Sequence, residues 1–237
     1  MDRIHSNKKQ HGLFDTLREL DPNLEEHLRD GEHTSDIAAL IDAGRDGACS
    51  TDAQSLKKAI LDWVHPDGGA LIPPLPRDSR VGHRFAHVDT GRLLCPTHLD
   101  WDDAKIHKKL QNRTAVVTAD QCPTFLYGDL TYDDDDPWEG LFRGQILVQT
   151  FKYIFTSPSS ASKEGAQPTK PANALLHNMQ SVTLASLVYV ATQVRVALSS
   201  AAFFSKSHAE IKHFYDTMLN QPCDPAEEDE INELLTW

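Results

Sequence analysis

Hydrophobic residues recur three and four positions apart in several separated stretches of the chain, the spacing that places them on one face of an α-helix. Ala53, Leu56, Ile60, Trp63 and Val64 keep this spacing behind Thr51 and Gln54, a capping pair three positions apart, until His65-Pro66-Asp67-Gly68-Gly69 stops the segment. Ser207 and Glu210 open another such segment with Ile211, Phe214, Tyr215, Met218 and Leu219. Asp224-Pro225-Ala226-Glu227 sets a cap, a proline at the first helical position and an acid in the first turn ahead of Ile231, Leu234 and Leu235, which predicts a C-terminal helix. Upstream, Asp21-Pro22 and Thr34-Ser35-Asp36 predict two shorter helices carrying Leu24 and Leu28, then Ile37, Leu40 and Ile41.

Two longer apolar helices are predicted beyond residue 136. Asp136 as N-cap, Pro137 as first helical residue and Glu139 three positions after the cap predict a helix through Leu141, Phe142, Leu147, Val148, Phe151, Ile154 and Phe155. The segment from Ser181 to about Phe204 is apolar on almost every side and reads as a central helix. Leu184, Leu187, Val188, Ala191 and Leu198 share a stripe with Arg195, so the helix carries a guanidinium inward that needs a carboxylate, several carbonyls or an anion. Between these helices, residues 157–171 are rich in serine, alanine and proline and read as an inserted surface loop.

The middle of the chain breaks the helical pattern. Gly69 to Pro76 is interrupted by prolines, and Asp89-Thr90-Gly91 between the apolar pieces of Phe85 to Leu94 predicts a small β-hairpin. A short helix capped by Asp100, with Trp101, Ile106 and Leu110, and two extended pieces at 115–118 and 124–127 complete it. The predicted fold class is therefore mainly α: a single compact helical domain over 20–237, with a small β-hairpin and irregular section near residues 70–127, preceded by an extension over residues 1–19.

Composition adds a sign of charge. Thirty-five acidic against 23 basic residues give a formal net charge of -12, which disfavours nucleic acid and anionic membrane surfaces as partners. The stretch 141–207 runs the other way, with six basic residues and Glu164 as its sole acid. An anion would meet Arg143, Lys152, Lys170, His177 and Arg195 there. The longest uncharged run, Pro171 to Val194, contains Asn173, His177, Asn178, Gln180 and Gln193, so it reads as a buried helix of a water-soluble protein, not a membrane span. Four scattered cysteines without a Cys-x-x-Cys pair, and no apolar leader, place the chain in the cytoplasm or nucleus with its thiols reduced.

The remaining chemistry is sparse. Asp133-Asp134-Asp135-Asp136 could gather a divalent cation for a metal-dependent enzyme, but no second metal motif follows, and helix capping accounts for the run. His83 and His87 stand four apart at the predicted hairpin, where their rings share a face but are spread, and His98-x-Asp100 opens an iron-type triad in a chain with too few strands for the barrel that such sites occupy. No nucleophile elbow, phosphate-binding glycine loop, zinc-protease or dinucleotide motif occurs. No catalytic residue, metal or cofactor is assigned.

The series Ser55 to Trp63, Thr90-Gly91-Arg92-Leu93-Leu94-Cys95-Pro96, Phe125-Leu126-Tyr127, Asp136 to Arg143, Phe151 to Ser160 and Ala191 to Ser200 resembles an uncharacterised domain family abundant in mushroom-forming fungi. The resemblance covers about Leu20 to Trp237 and implies a one-domain extent without catalytic residues. The expected function is a non-catalytic helical interaction domain with a protein partner or self-association. The alternatives are an anion- or nucleic-acid-associated module using 141–207, and a metal-dependent enzyme using the aspartate run.

Overall fold

Most of the capped amphipathic stretches do form helices, and the computed structural model of the chain is mainly α. The structure describes residues 14–15, 17–19, 21–31, 33–65, 69–162, 174, 179, 181–200, 208–220 and 227–237. In chain order the helices are α1 (Leu24–Asp30), α2 (Thr34–Ala59), α3 (Val88–Leu94), α4 (Ala104–Gln111), α5 (Gln145–Phe151), α6 (Pro158–Ser162), α7 (Leu184–Leu198), α8 (His208–Asn220) and α9 (Glu228–Thr236). Contacts divide the chain into two units, one ending at Ser50 and one spanning Thr51–Trp237.

In the first unit Asp21 accepts the Asn23 amide at 3.0 Å ahead of α1, and Leu24 is buried. The helices predicted at Thr34 and Thr51 fall within one helical span, α2, which the division between the units crosses. No proline interrupts it, and Gly44 and Gly47 each weaken a helix by only about 1 kcal/mol relative to alanine. Its first turns lie mostly in solvent, with Leu40 72% and Ile41 45% exposed.

The second unit is built around α7. Thr183 Oγ1 accepts the Ser186 amide at 3.2 Å while Ser186 Oγ accepts the Thr183 amide at 3.0 Å, so a reciprocal capping box starts the helix at Leu184. Val188, Val190, Ala191, Val194, Ala197 and Leu198 are all buried. α5, α8, α3 and the 3-10 turn at 60–62 cover it. The helix ends at Leu198, short of the predicted Phe204, where the Ser199 amide and hydroxyl bond the Arg195 carbonyl at 3.1 and 2.7 Å. The buried His83 ring closes the same end, its Nδ1–H donating to the Ala197 carbonyl at 3.2 Å.

The predicted hairpin at 85–94 is instead a 3-10 turn, Arg84–Ala86, leading into α3. His87 caps α3 by accepting the Asp89 amide, and Gly91 faces Trp101 so closely that a Cβ would lie 2.2 Å from the indole. Glycine here serves helix packing, not a turn. The two histidines are structural: His87 Nε2–H donates to the Pro73 carbonyl at 2.8 Å, and burial lowers the pKa of His83. The pieces at 115–118 and 124–127 do not pair as strands; residues 124–126 form a 3-10 turn. Among the described residues, extended pairing is confined to two isolated antiparallel bridges, Pro96 with Pro123 and Tyr127 with Leu141. α4 begins after Asp103, which accepts the Lys105 amide at 2.7 Å; Asp100 closes a turn onto the Asp102 amide instead.

The helix predicted from Pro137 starts eight residues later. Asp136 does accept the Trp138 amide at 3.1 Å, but Gly140 (φ 72°) and Phe142 (φ 60°) are left-handed and reverse the chain before α5 can begin. At Gly144, which precedes α5, a Cβ would lie 2.1 Å from the Phe125 carbonyl oxygen. α5 then widens into a π-helical turn over Lys152–Thr156, whose Tyr153 packs edge-on against Trp63 at 5.6 Å. The loop read at 157–171 begins as a helical turn: Ser157 Oγ accepts the Ser160 amide at 3.2 Å at the head of α6, and residues 163–171 lie outside the described residues.

Two predictions follow from this packing. Gly144→Ala forces backbone apart at the start of α5 and lowers unfolding free energy by at least about 2 kcal/mol, as read by denaturant unfolding. The second concerns Asp52, half-buried on α2, which accepts the Tyr189 hydroxyl of α7 at 2.6 Å. Burial raises its pKa and the tyrosine hydroxyl pulls it partly back, so Tyr189→Phe raises it further. A raised folded-state pKa favours the fold below the titration range and opposes it above, so the variant loses about 1 kcal/mol at pH 7 and less as the pH falls through the carboxylate range. Unfolding midpoints measured at pH 7 and at acid pH test the sign.

Candidate functional site

The irregular section assembles a cleft. The bridge between Pro96 and Pro123, with the Thr97 amide on the Cys122 carbonyl and the Thr124 amide on the Cys95 carbonyl, both at 2.9 Å, holds 97–98 beside 121–122. The bridge between Tyr127 and Leu141, with the Gly128 amide on the Gly140 carbonyl at 2.9 Å, closes residues 128–140 into a loop whose ends meet. Tyr132, Asp134 and Trp138 of that loop then face one space with Tyr127, Asp120 and Gln121. Met218 of α8 and Glu227, at the head of α9, complete a solvent-open cavity of about 320 Å³.

Its chemistry is aromatic and acidic. Tyr127 is the floor, 2% exposed, and burial pushes its hydroxyl well above the ordinary phenol range. The Tyr132 ring stands edge-on to it at 5.1 Å with 74° between the planes. Trp138 donates its indole N–H to Glu227 Oε1 at 3.3 Å, while Glu227 Oε2 is buried and accepts no hydrogen bond. Asp120 and Asp134 stand exposed at the margin with His98, and no lysine or arginine lines the cavity. The carboxyl pKa of Asp120 is lowered, first by a hydrogen bond involving Thr118.

The aspartate run thus contributes one lining residue, Asp134; Asp133 accepts the Asp135 amide at 2.9 Å, and Asp136 closes its own turn. Among the described residues no group of three or more His, Cys, Asp or Glu side chains is placed to hold a metal ion. His98 lies in the cleft lining, while Asp100 is engaged with the Asp102 amide. The Cys95 thiol is buried, pushed up to about 11, and points at the Leu99 carbonyl, an unreactive setting.

Of the residues read as an anion site, Arg143 and Arg195 have separate partners. Arg143 pairs with Glu233 of α9 at 2.9 Å and lies over the Trp237 ring. Lys152 is exposed on the π-helical turn, and Lys170 and His177 lie outside the described residues. Arg195 resolves its burial through carbonyls: it donates to Thr118 and Ala119 at 3.1 and 3.3 Å and stacks over Phe214 at 4.4 Å. Desolvation lowers its pKa to about 10, with Arg84 adding to the shift and Glu210 opposing it. The two hollows beside this guanidinium are about 10 Å³ each, room for a single water.

Residues 43–237 match the model of a family of unknown function (DUF6698), and the chain belongs to that family. No curated protein and no solved structure matches the chain. No helix among the described residues is long and apolar enough to cross a membrane. Tyr127, Tyr132, Trp138, Asp120 and Glu227 come from four chain segments that no local spacing relates, so the sequence alone does not single them out as a set.

Arg195→Met removes two charge-assisted donors and a ring stack, and lowers stability by about 1–3 kcal/mol. Phosphate or sulfate shifts the unfolding midpoint of wild type and variant equally; a larger shift in the wild type would restore the anion-site reading.

Proposed function

We propose that the chain is a non-catalytic helical interaction domain and that a protein partner docks at the cleft between the 128–140 loop and the helices α8 and α9. The observation that carries this reading is the cleft itself: aromatic walls, acidic margin and a buried carboxylate oxygen left without a donor. Interfaces use aromatic residues in this way because they offer large contact area at little conformational cost. The net charge of -12 makes a basic segment the complementary partner and disfavours nucleic acid. The cytoplasm or nucleus is its place of action, in keeping with cysteines that are spaced without pairs. The metal-enzyme and anion-module readings have less support, since Asp133 and Asp136 spend their side chains on turns and Arg143 and Arg195 are already engaged.

Photo-cross-linking from the cleft margin tests the proposal. A benzophenone amino acid in place of Asp134 yields a discrete adduct in an extract of the source cells, and the same group in place of Lys108, on exposed α4, yields none. An adduct of twice the chain mass identifies self-association at the cleft. Absence of any adduct from Asp134, or identical adducts from both positions, defeats the reading.

A further inference from the structure

The stretch Leu71-Ile72-Pro73-Pro74-Leu75-Pro76-Arg77 of the second unit belongs to no helix, and none of its residues lines the cleft. Beyond the cis Ile72–Pro73 bond, the rings of Pro73, Pro74 and Pro76 hold φ at about −65°. Pro73 and Leu75 are each followed by a proline, which keeps their backbone extended. These are the restraints of a polyproline II turn, a left-handed helix of about three residues per turn without internal hydrogen bonds.

The fold pins this turn at both ends and leaves its prolines outside. His87 Nε2–H donates to the Pro73 carbonyl at 2.8 Å, while Arg77 pairs with the Asp62 carboxylate and donates to the Lys58 carbonyl at 3.3 Å. Leu71 and Leu75 pack against the core. Pro73, Pro74 and Pro76 are exposed, and Ile72 beside them is 82% exposed. Pro73 and Pro76, three positions apart, share one edge of the turn, and Leu75 holds another against the protein. The carbonyls of Pro74, Leu75 and Pro76 accept no hydrogen bond among the described residues.

Exposed prolines on a preset left-handed turn, with carbonyls open to a donor, are what aromatic-lined grooves bind. A turn already pinned in place lowers the ordering cost of such binding. Grooves of the SH3 kind also close an acidic pocket on a basic residue next to the prolines, and here that residue, Arg77, is held by Asp62. Grooves of the WW kind need no such charge: their rings clasp the prolines and their indole N–H reaches a carbonyl.

We infer that residues 73–76 are a displayed proline ligand for the aromatic groove of a WW-type domain in a protein partner, on a surface separate from the cleft.

Calorimetric titration of the full chain with an isolated WW domain selective for Pro-Pro-Leu-Pro sequences tests the assignment. Saturable one-to-one binding is expected, at least as tight as that of a free peptide of residues 70–79. Pro76→Ala lowers the affinity at least about tenfold and Pro74→Ala several-fold, and thermal unfolding confirms that both variants, altered at exposed positions, remain folded. No saturable binding, a free peptide that binds more tightly than the chain, proline variants that bind like wild type, or tighter binding of an SH3 domain overturns the assignment. An Asp134 adduct alongside any of these leaves the cleft reading standing, and a missing adduct alongside WW binding defeats the cleft reading alone.

Discussion

The second unit depends on the burial of α7, ten of whose 15 residues are buried. A helix apolar on every side forces neighbours onto all of them, and here α5, α8, α3 and the 3-10 turn after α2 provide the cover. The one charge carried inward, Arg195, then constrains the rest. Its guanidinium cannot shed its proton at neutral pH, so it draws the Thr118 and Ala119 carbonyls onto the core and lies on Phe214 of α8. That contact anchors an otherwise irregular segment, and the next residues, Asp120 to Cys122, are cleft lining.

Close backbone approach does for the irregular section what side-chain packing does for the helices. Gly91 admits Trp101 against α3, and Gly144 admits the Phe125 carbonyl at the head of α5. Two isolated bridges hold the ends of the connecting segments. The consequence is a cleft framed by backbone contacts on one side and by α8 and the head of α9 on the other, with the Arg143–Glu233 pair joining those sides outside it. An aromatic floor held this way keeps its shape without a ligand, which lowers the ordering cost of binding.

Legibility followed the range of the interactions involved. The core faces of α8 and α9 were readable because Phe214, Met218 and Leu234 repeat at helical spacing, and all three are buried. The start of α5 lies beyond its sequence signal because Asp136-Pro137 is real but local: its cap bond forms, and the left-handed Gly140 and Phe142 then turn the chain away. The helix in place of the predicted hairpin has a similar reason. Asp89-Thr90-Gly91 has turn composition, yet the glycine is there for Trp101, ten residues on.

What the sequence determined alone is the mainly helical class, the central place of α7 and the need of Arg195 for a buried partner, because periodicity and charge are properties of neighbouring residues. Which partner Arg195 found was decided in three dimensions, from a list of chemically equivalent acceptors. The cleft was decided there entirely. Tyr127, Trp138, Asp120 and Glu227 have no common spacing, and only the closed 128–140 loop and the seating of α8 and α9 bring their side chains to one cavity.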